Sequence, residues 1–310
     1  MKPFKNYYKF FFLYLVFSFN LFDGFSQQFV RIDNLEIPDL KKDEQFVCHL
    51  AYCLSYNETY EQSSWVAYEL THQELNGKIS RTNHFLSDPA IKTKSAEGYD
   101  YMGKGYDRGH LAPAADMSWS QQAMNESFYY SNMSPQVPSF NRGIWENIEE
   151  FVRRNAKLES SLYVVTGPVL RKGLSVIGPN EVAVPEYFYK VLLVYKKDEM
   201  KGIGILIPNK DLDGPINKYA VSIDEVEKAT GINFFPLLPD VIEKKLESSF
   251  SISQWKWDSR MTEQEEIDAG QQNVISEKTG ASIRCIGFTK KGKRCKKNTT
   301  NTNSRCNLHQ

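Results

Sequence analysis

Four stretches of the chain carry the pattern of strands. Trp65-Val66-Ala67-Tyr68-Glu69-Leu70 alternates bulky and small side chains, the period-two signature of a pleated segment. Leu162 to Pro168 is β-rich and closed by a Gly-Pro breaker, and Gly202 to Pro208 is a buried-strand run also stopped by proline. Tyr187 to Tyr195 is long and rich in Val, Leu and aromatics. Between these runs the period changes. Ile144, Ile148, Phe151 and Val152 recur at helical spacing and predict an amphipathic helix over about Gly143–Arg154. Ser222 followed by Asp224 and Glu225 predicts a capped helix ended by Gly231, and Pro239–Leu246 predicts one more. Strands and helices mix without a strict βαβ alternation. The expected class is therefore α+β, a mixed or antiparallel sheet with packed helices, its main body running from about Phe46 to about Trp257.

The ends differ from this body. Lys2, Lys5 and Lys9 precede an apolar, Phe-rich stretch from Phe10 to Phe22, and Gly24-Phe25-Ser26 places small residues before a cut at Gln27. This is the three-part pattern of a secretory signal over 1–26. An uncleaved anchor is the competing reading, but the apolar run is short of the roughly 20 residues a spanning helix needs. A secreted or periplasmic protein with no stable membrane association after cleavage is expected. The domain then spans 27–257, with 27–45 a polar lead-in. Residues 258–280 read as a linker, and 281–310 as a basic tail.

Composition narrows the class of function. With 41% hydrophobic and 25% charged residues the chain can bury a core. Lys plus Arg equals Asp plus Glu at 38 each, so no global positive field marks a pure nucleic-acid binder. An enzyme that must release its product is not excluded.

The chemistry concentrates in three short segments. Tyr106 to Pro113 contains Asp107-Arg108-Gly109-His110; then come Asn132-Met133-Ser134-Pro135-Gln136 and Asn141 to Glu149. A histidine with an ordinary pKa of about 6.5 can take a proton from water near neutral pH, which makes His110 a candidate general base. The bland alternative is a histidine hydrogen-bonded at a strand end. The Asn141 amide oxygen suits Mg²⁺, which takes oxygen donors, keeps several waters and needs few protein ligands. Asn141 could instead, or also, cap the helix beginning near Gly143. Glu149 and Arg153 are i and i+4 on that helix; they either face the ion together or form an exposed ion pair. Arg108 and Arg81 present planar forks suited to phosphate oxygens.

The order and spacing of these segments resemble the DNA/RNA non-specific endonuclease family, whose active site is a ββα-metal (His-Me finger) motif. The resemblance covers roughly residues 46–250. It includes Arg81 with an aromatic residue and Asp88-Pro89, then Thr166-Gly167-Pro168-Val169 and Val184 to Lys190. Ile148-Glu149 stands where the family commonly has Leu-Glu, an apolar exchange of little consequence. The resemblance implies that His110 activates water and that Asn141 holds Mg²⁺ or another divalent ion such as Mn²⁺. It further implies that Glu149 orders metal-bound water, that Arg153 helps hold the phosphate, and that Asn132 lies near substrate. DNA and RNA are the implied substrates. A non-catalytic nucleic-acid binder and a phosphodiesterase for small nucleotides remain the alternatives. With an ordinary imidazole, cleavage would fade below about pH 6.5.

The tail carries a separate pattern. Cys285, Cys295, Cys306 and His309 follow C-x9-C-x10-C-x2-H among basic residues and could close a tetrahedral Zn²⁺ site. Disulfides are the alternative in an exported chain. If Cys48 pairs with Cys53, the odd three that remain suit Cys₃His better.

Overall fold

The Tyr187–Tyr195 run is apolar at nearly every position because the strand it forms is covered on both faces. In a computed structural model the described residues are 31–257, together with the backbone of Ile283–Arg284 and Asn298–Thr299, which pair antiparallel. Eleven strands precede that pair. They are β1 (Gln45–Cys48), β2 (Cys53–Asn57), β3 (Gln62–Thr71), β4 (Asp107–His110), β5 (Met133–Gln136) and β6 (Ser161–Pro168), then β7 (Val176–Ile177), β8 (Val182–Ala183), β9 (Tyr187–Lys196), β10 (Glu199–Pro208) and β11 (Ala220–Val221). Seven form one sheet in the order β1-β2-β3-β6-β9-β10-β11, and every neighbouring pair is antiparallel. The helices are α1 (Gly98–Tyr101), α2 (Gln121–Glu126), α3 (Pro138–Phe140), α4 (Glu146–Glu159), α5 (Ile223–Thr230) and α6 (Asp240–Glu247). The α+β expectation holds.

Successive side chains of a strand point to opposite faces, and here each face feeds its own core. Leu162, Val164, Leu192 and Val194 pack with Ile148, Phe151 and Val152 of α4. Tyr163, Val165, Val191 and Leu193 pack with Ile223 and Val226 of α5 and Leu246 of α6. An antiparallel sheet often leaves one face wet; this one does not, so its central strands lose the simple alternation. Gly204 of β10 permits the approach of α5: a Cβ there would lie 2.6 Å from Val226 Cγ2 and 2.9 Å from the Ser222 carbonyl.

The α5 termini match the sequence reading. Ser222 Oγ accepts from the Glu225 amide at 3.2 Å, Glu225 accepts in return from the Ser222 amide at 3.0 Å, and Gly231 ends the helix at φ 66°. Two boundaries move. Leu35 is fully buried in the α5/α6-side core, so the body begins within the expected lead-in rather than at Phe46. The helix expected over Gly143–Arg154 starts at Glu146 and ends at Glu159. A π turn over Asn141–Trp145, kinked at Gly143, delays its start. Asn155 and Ala156 prolong its buried stripe. Cys48 and Cys53 form a disulfide. The signal segment 1–26, the linker 258–280 and the proposed zinc ligands Cys285, Cys295, Cys306 and His309 lie outside the described residues. Among the described residues, no helix is long and apolar enough to cross a membrane.

The segment before residue 257 straps onto α4. Trp257 stacks on Phe151 at 4.3 Å between ring centroids, Arg154 donates to the Trp257 carbonyl at 3.2 Å, and Asn155 Oδ1 accepts from the Lys256 amide at 3.0 Å. Phe151 is fully buried, so Phe151→Ala should cost about 3–5 kcal/mol of unfolding free energy. Denaturant unfolding checks this; a loss below about 1 kcal/mol would mean that the strap does not pack as described.

Candidate active site

The site is built on β4 and β5, which pair with Asp107 opposite Gln136 and His110 opposite Met133. Gly109 must lack a side chain here, because a Cβ would fall 2.1–2.5 Å from the Gln136 carboxamide. Ser134 Oγ donates to Gln62 Oε1 at 2.6 Å and fastens the ribbon to β3 of the main sheet. After β5 the chain turns through α3 and the π turn into α4, giving two strands followed by a helix.

Arg108 and His110, two residues apart on β4, lie on one face of the strand. The His110 ring is 7% exposed and sits edge-on to Phe128 at 4.8 Å, with Phe85 at 6.0 Å. A guanidinium covers each of those rings: Arg108 lies 3.8 Å over Phe85, and Arg81 lies 5.0 Å over Phe128. Such contacts contribute about 0.5–1 kcal/mol at exposed sites and hold two flexible cations in place before substrate arrives. Burial, and then the positive charges of Arg81 and Arg108, lower the His110 pKa to about 3. The imidazole is thus neutral at every ordinary pH, and its Nε2 is buried with no hydrogen-bond partner. The expected loss of activity below pH 6.5 assumed an unperturbed ring. A lowered pKa keeps the basic form as pH falls, so the acid limb moves downward.

Asp107, at the other end of β4, is the anchor for Asn141. Its Oδ2 accepts from Asn141 Nδ2 at 2.9 Å and from Arg142 Nε at 2.8 Å, and its Oδ1 accepts from Arg142 Nη2 at 2.6 Å. Burial alone would raise this carboxyl; the bonds from Arg142 and Asn141 outweigh it and hold it below the usual carboxylate range. With its Nδ2 engaged, Asn141 has its Oδ1 left as the acceptor. The amide makes no helix-capping bond: Asn141 has helical φ/ψ at the end of α3. The capping alternative is therefore set aside, since the side chain reaches across to β4. Asn141, Arg108, Phe85, Tyr101, Tyr106 and Asn83 line a cleft of about 390 Å³, and Asp107 and Arg142 complete its wall.

Glu149 belongs to a second cluster, with Arg153, Asp116 and Lys190. Arg153 Nη1 donates to Asp116 Oδ1 at 3.0 Å, and Tyr68 donates to Asp116 Oδ2 at 2.8 Å. The fully buried Lys190 donates to Thr166 at 3.1 Å and to the Leu111 carbonyl at 3.4 Å, and lies 4.6 Å over the Trp145 ring. Lys190 thereby ties β9 to the residue after His110. Burial raises the Glu149 carboxyl, against the opposing pull of Lys190 and Arg153.

One expectation changes here. Asn132 is wholly buried: its Nδ2 donates to the Ala112 and Ser127 carbonyls and its Oδ1 accepts from the Ala112 amide. It fixes the chain beyond His110 and does not reach substrate. Arg153 pairs with Asp116 through Nη1, which leaves its other guanidinium donors for the phosphate contact that the resemblance implies. Phe128, Asp116, Lys190 and Gln136 escaped the sequence reading of the site. Lys190 alone carried a signal, as a lone cation in an apolar strand. His84 is exposed. His49 binds Asp88 at 2.8 Å and so fastens the Asp88-Pro89 segment.

The model of the DNA/RNA non-specific endonuclease family matches residues 37–241, well over half of the 310. The chain belongs to that family. Human mitochondrial endonuclease G is 36% identical over 201 residues, 60% of this chain and 68% of the relative. Nuclease C1 of Cunninghamella echinulata var. echinulata is 37% identical over 222 residues, 66% of this chain and 88% of its own. Among solved structures, a chain from the EndoG/EndoGI complex superposes with a TM-score of 0.60 at 33% identity, covering 66% of this chain and 89% of that one. This endonuclease is thus a metal-dependent phosphodiester hydrolase on a ββα-metal fold.

The imidazole of the endonuclease is open to direct measurement. In metal-free protein the His110 NMR resonances should show no titration between pH 7.5 and 5. A midpoint near 6.5 would show that the ring is not enclosed as described.

Proposed function

We propose that this endonuclease is exported and cuts DNA and RNA with Mg²⁺ and little sequence preference, with His110 as general base and Asn141 as the one protein ligand of the ion. The observation that carries the reading is the short strand β4. At one end it holds a buried, neutral imidazole whose Nε2 has no hydrogen-bond partner, and at the other a carboxylate that engages the Asn141 nitrogen and leaves its oxygen available.

The residues fit a hard divalent ion. Asn141 Oδ1 is a neutral oxygen at the wall of an open cleft, with room for water and phosphate to complete an octahedral shell. Glu149 would hold water of that shell. When bound, the ion supplies charge stabilisation for the phosphorane and the leaving 3′-oxygen. His110 takes the proton of the attacking water at a ring nitrogen, and burial keeps the ring in its neutral, proton-accepting form. Arg108 and Arg81 hold phosphate oxygens, with Phe85 and Phe128 fixing their guanidinium planes. Phosphate contacts carry no sequence information, which accounts for the low preference. Asp107 and Asn132 are positioning residues: the first orients Asn141, the second the chain after His110.

Export is supported by the Cys48–Cys53 disulfide, which suits an oxidising compartment, and by the signal pattern at 1–26. The tail set Cys285, Cys295, Cys306 and His309 is proposed as a Zn²⁺ site whose basic surroundings hold phosphate backbones.

Plasmid incubated with the enzyme and Mg²⁺ should be degraded, chelation should stop it, and His110→Ala should lower the rate by about 10²–10⁴. An unchanged rate in that variant would remove the base assignment. The two pH profiles give a second check. A bound phosphate partly neutralises the Arg81 and Arg108 charges that lower the His110 pKa. The acid limb of kcat, which reports the complex, should therefore lie at higher pH than that of kcat/KM, which reports free enzyme. The reverse order would contradict the assignment of both arginines.

A further inference from the structure

On the opposite side of the sheet, three acids of α5 and α6 converge. One carboxylate oxygen from each of Asp224, Glu227 and Glu247 lies within 4.8 Å of the other two. Asp224 and Glu227 are one turn apart on α5, and Glu247 is the last residue of α6. Glu227 is set in place by the Phe234 amide, which donates to its Oε1 at 2.8 Å. Glu247 is the unusual member. It is 7% exposed, its Oε1 is buried with no hydrogen-bond partner, and among the described residues no lysine or arginine forms an ion pair with it. It also sits at a helix C-terminus, where the peptide dipoles disfavour negative charge.

Taking a carboxylate out of water without a partner is expensive. Burial, then Glu227, Glu243 and Asp224, push the Glu247 carboxyl up to about 8. An arrangement with three acids, one of them buried and unpaired, is completed by a cation. The number of carboxylates and the reach of the ion bear on which one. Two ligand oxygens of one ion lie at most twice the metal–oxygen distance apart. At about 2.3–2.6 Å for Ca²⁺ this ceiling is about 4.6–5.2 Å, and at about 2.0–2.1 Å for Mg²⁺ it is about 4.0–4.2 Å. Oxygens within 4.8 Å of one another can share a Ca²⁺ ion, and three converging carboxylates suit Ca²⁺, since Mg²⁺ usually takes one or two and keeps several waters.

The geometry points to a Ca²⁺ site formed by Asp224, Glu227 and Glu247 that clamps α5 to α6, separate from the catalytic cleft. Water fills the remaining coordination positions on the exposed Asp224 side. The ion cross-links two helices that pack on the same sheet face, so it stabilises the fold and takes no part in phosphodiester cleavage.

The test uses full-length protein carrying Asn141→Ala, which removes any response from the cleft. After chelation, Ca²⁺ is titrated while thermal unfolding is followed. Tm should rise by about 5 °C or more at concentrations about a hundredfold above Kd, and Mg²⁺ at equal concentration should give a smaller rise. Adding Glu247→Gln should abolish the Ca²⁺ rise without lowering Tm in its absence, since the amide is neutral and close in shape to the carboxyl it replaces. Calorimetric titration, run independently on otherwise wild-type protein, should count one Ca²⁺ fewer in Glu247→Gln. No rise in the Asn141→Ala protein, an equal rise with Mg²⁺, or an unchanged count in Glu247→Gln would overturn the site.

Discussion

The carboxylate of Asp107 joins the two halves of the catalytic unit. It stands at the start of β4 and receives hydrogen bonds from Asn141 and Arg142 in the turn that leads into α4. Without it the ribbon carrying His110 and the turn carrying Asn141 would be linked only through the chain and the packing beneath. With it, the amide has one orientation: nitrogen toward the carboxylate, oxygen toward the cleft. A single neutral oxygen can serve as the protein's share of a metal shell only if it is held in this way.

The electrostatics around β4 follow a similar economy. The chain as a whole is neutral, with 38 basic and 38 acidic residues, so attraction for a polyanion must be local. Two guanidiniums placed on the two phenylalanines that box His110 are the proposed source. The same pair adds to the effect of burial in lowering the imidazole pKa, so in the proposed mechanism phosphate binding and the state of the base are linked. Deeper in, Lys190, Arg153, Asp116 and Glu149 form a mixed-charge layer. Its members hold one another and, through the Leu111 carbonyl, the strand end above.

Much of this was legible in the residues, for identifiable reasons. The buried runs of β6, β9 and β10 declare themselves by β-branched and aromatic content, and α5 by a capping box and a closing glycine. His110, Arg108 and Asn141 stood out because of the Asp-Arg-Gly-His run and the segments that follow it, and the structure places the first two on β4 and the third bonded to Asp107 of that strand. The π turn was not legible: the apolar spacing of Ile144 and Ile148 is compatible with an unbroken helix, and Gly143 gives no unique warning. Asn132 was misread because an amide that binds backbone and an amide that binds substrate look alike in sequence. Asp116 was missed because its partners, Tyr68 and Arg153, are remote along the chain. Leu35 was missed because the apolar residues around it, Ile32, Ile37 and Leu40, follow no single helical or strand period.

The most direct test of the account is a crystal of the enzyme with Mn²⁺ and a non-hydrolysable oligonucleotide, read by anomalous scattering. A manganese peak within bonding distance of Asn141 Oδ1, with the His110 ring on the far side of the bound phosphorus, is the predicted result. A peak coordinated elsewhere, or a phosphate that His110 cannot approach, would contradict it.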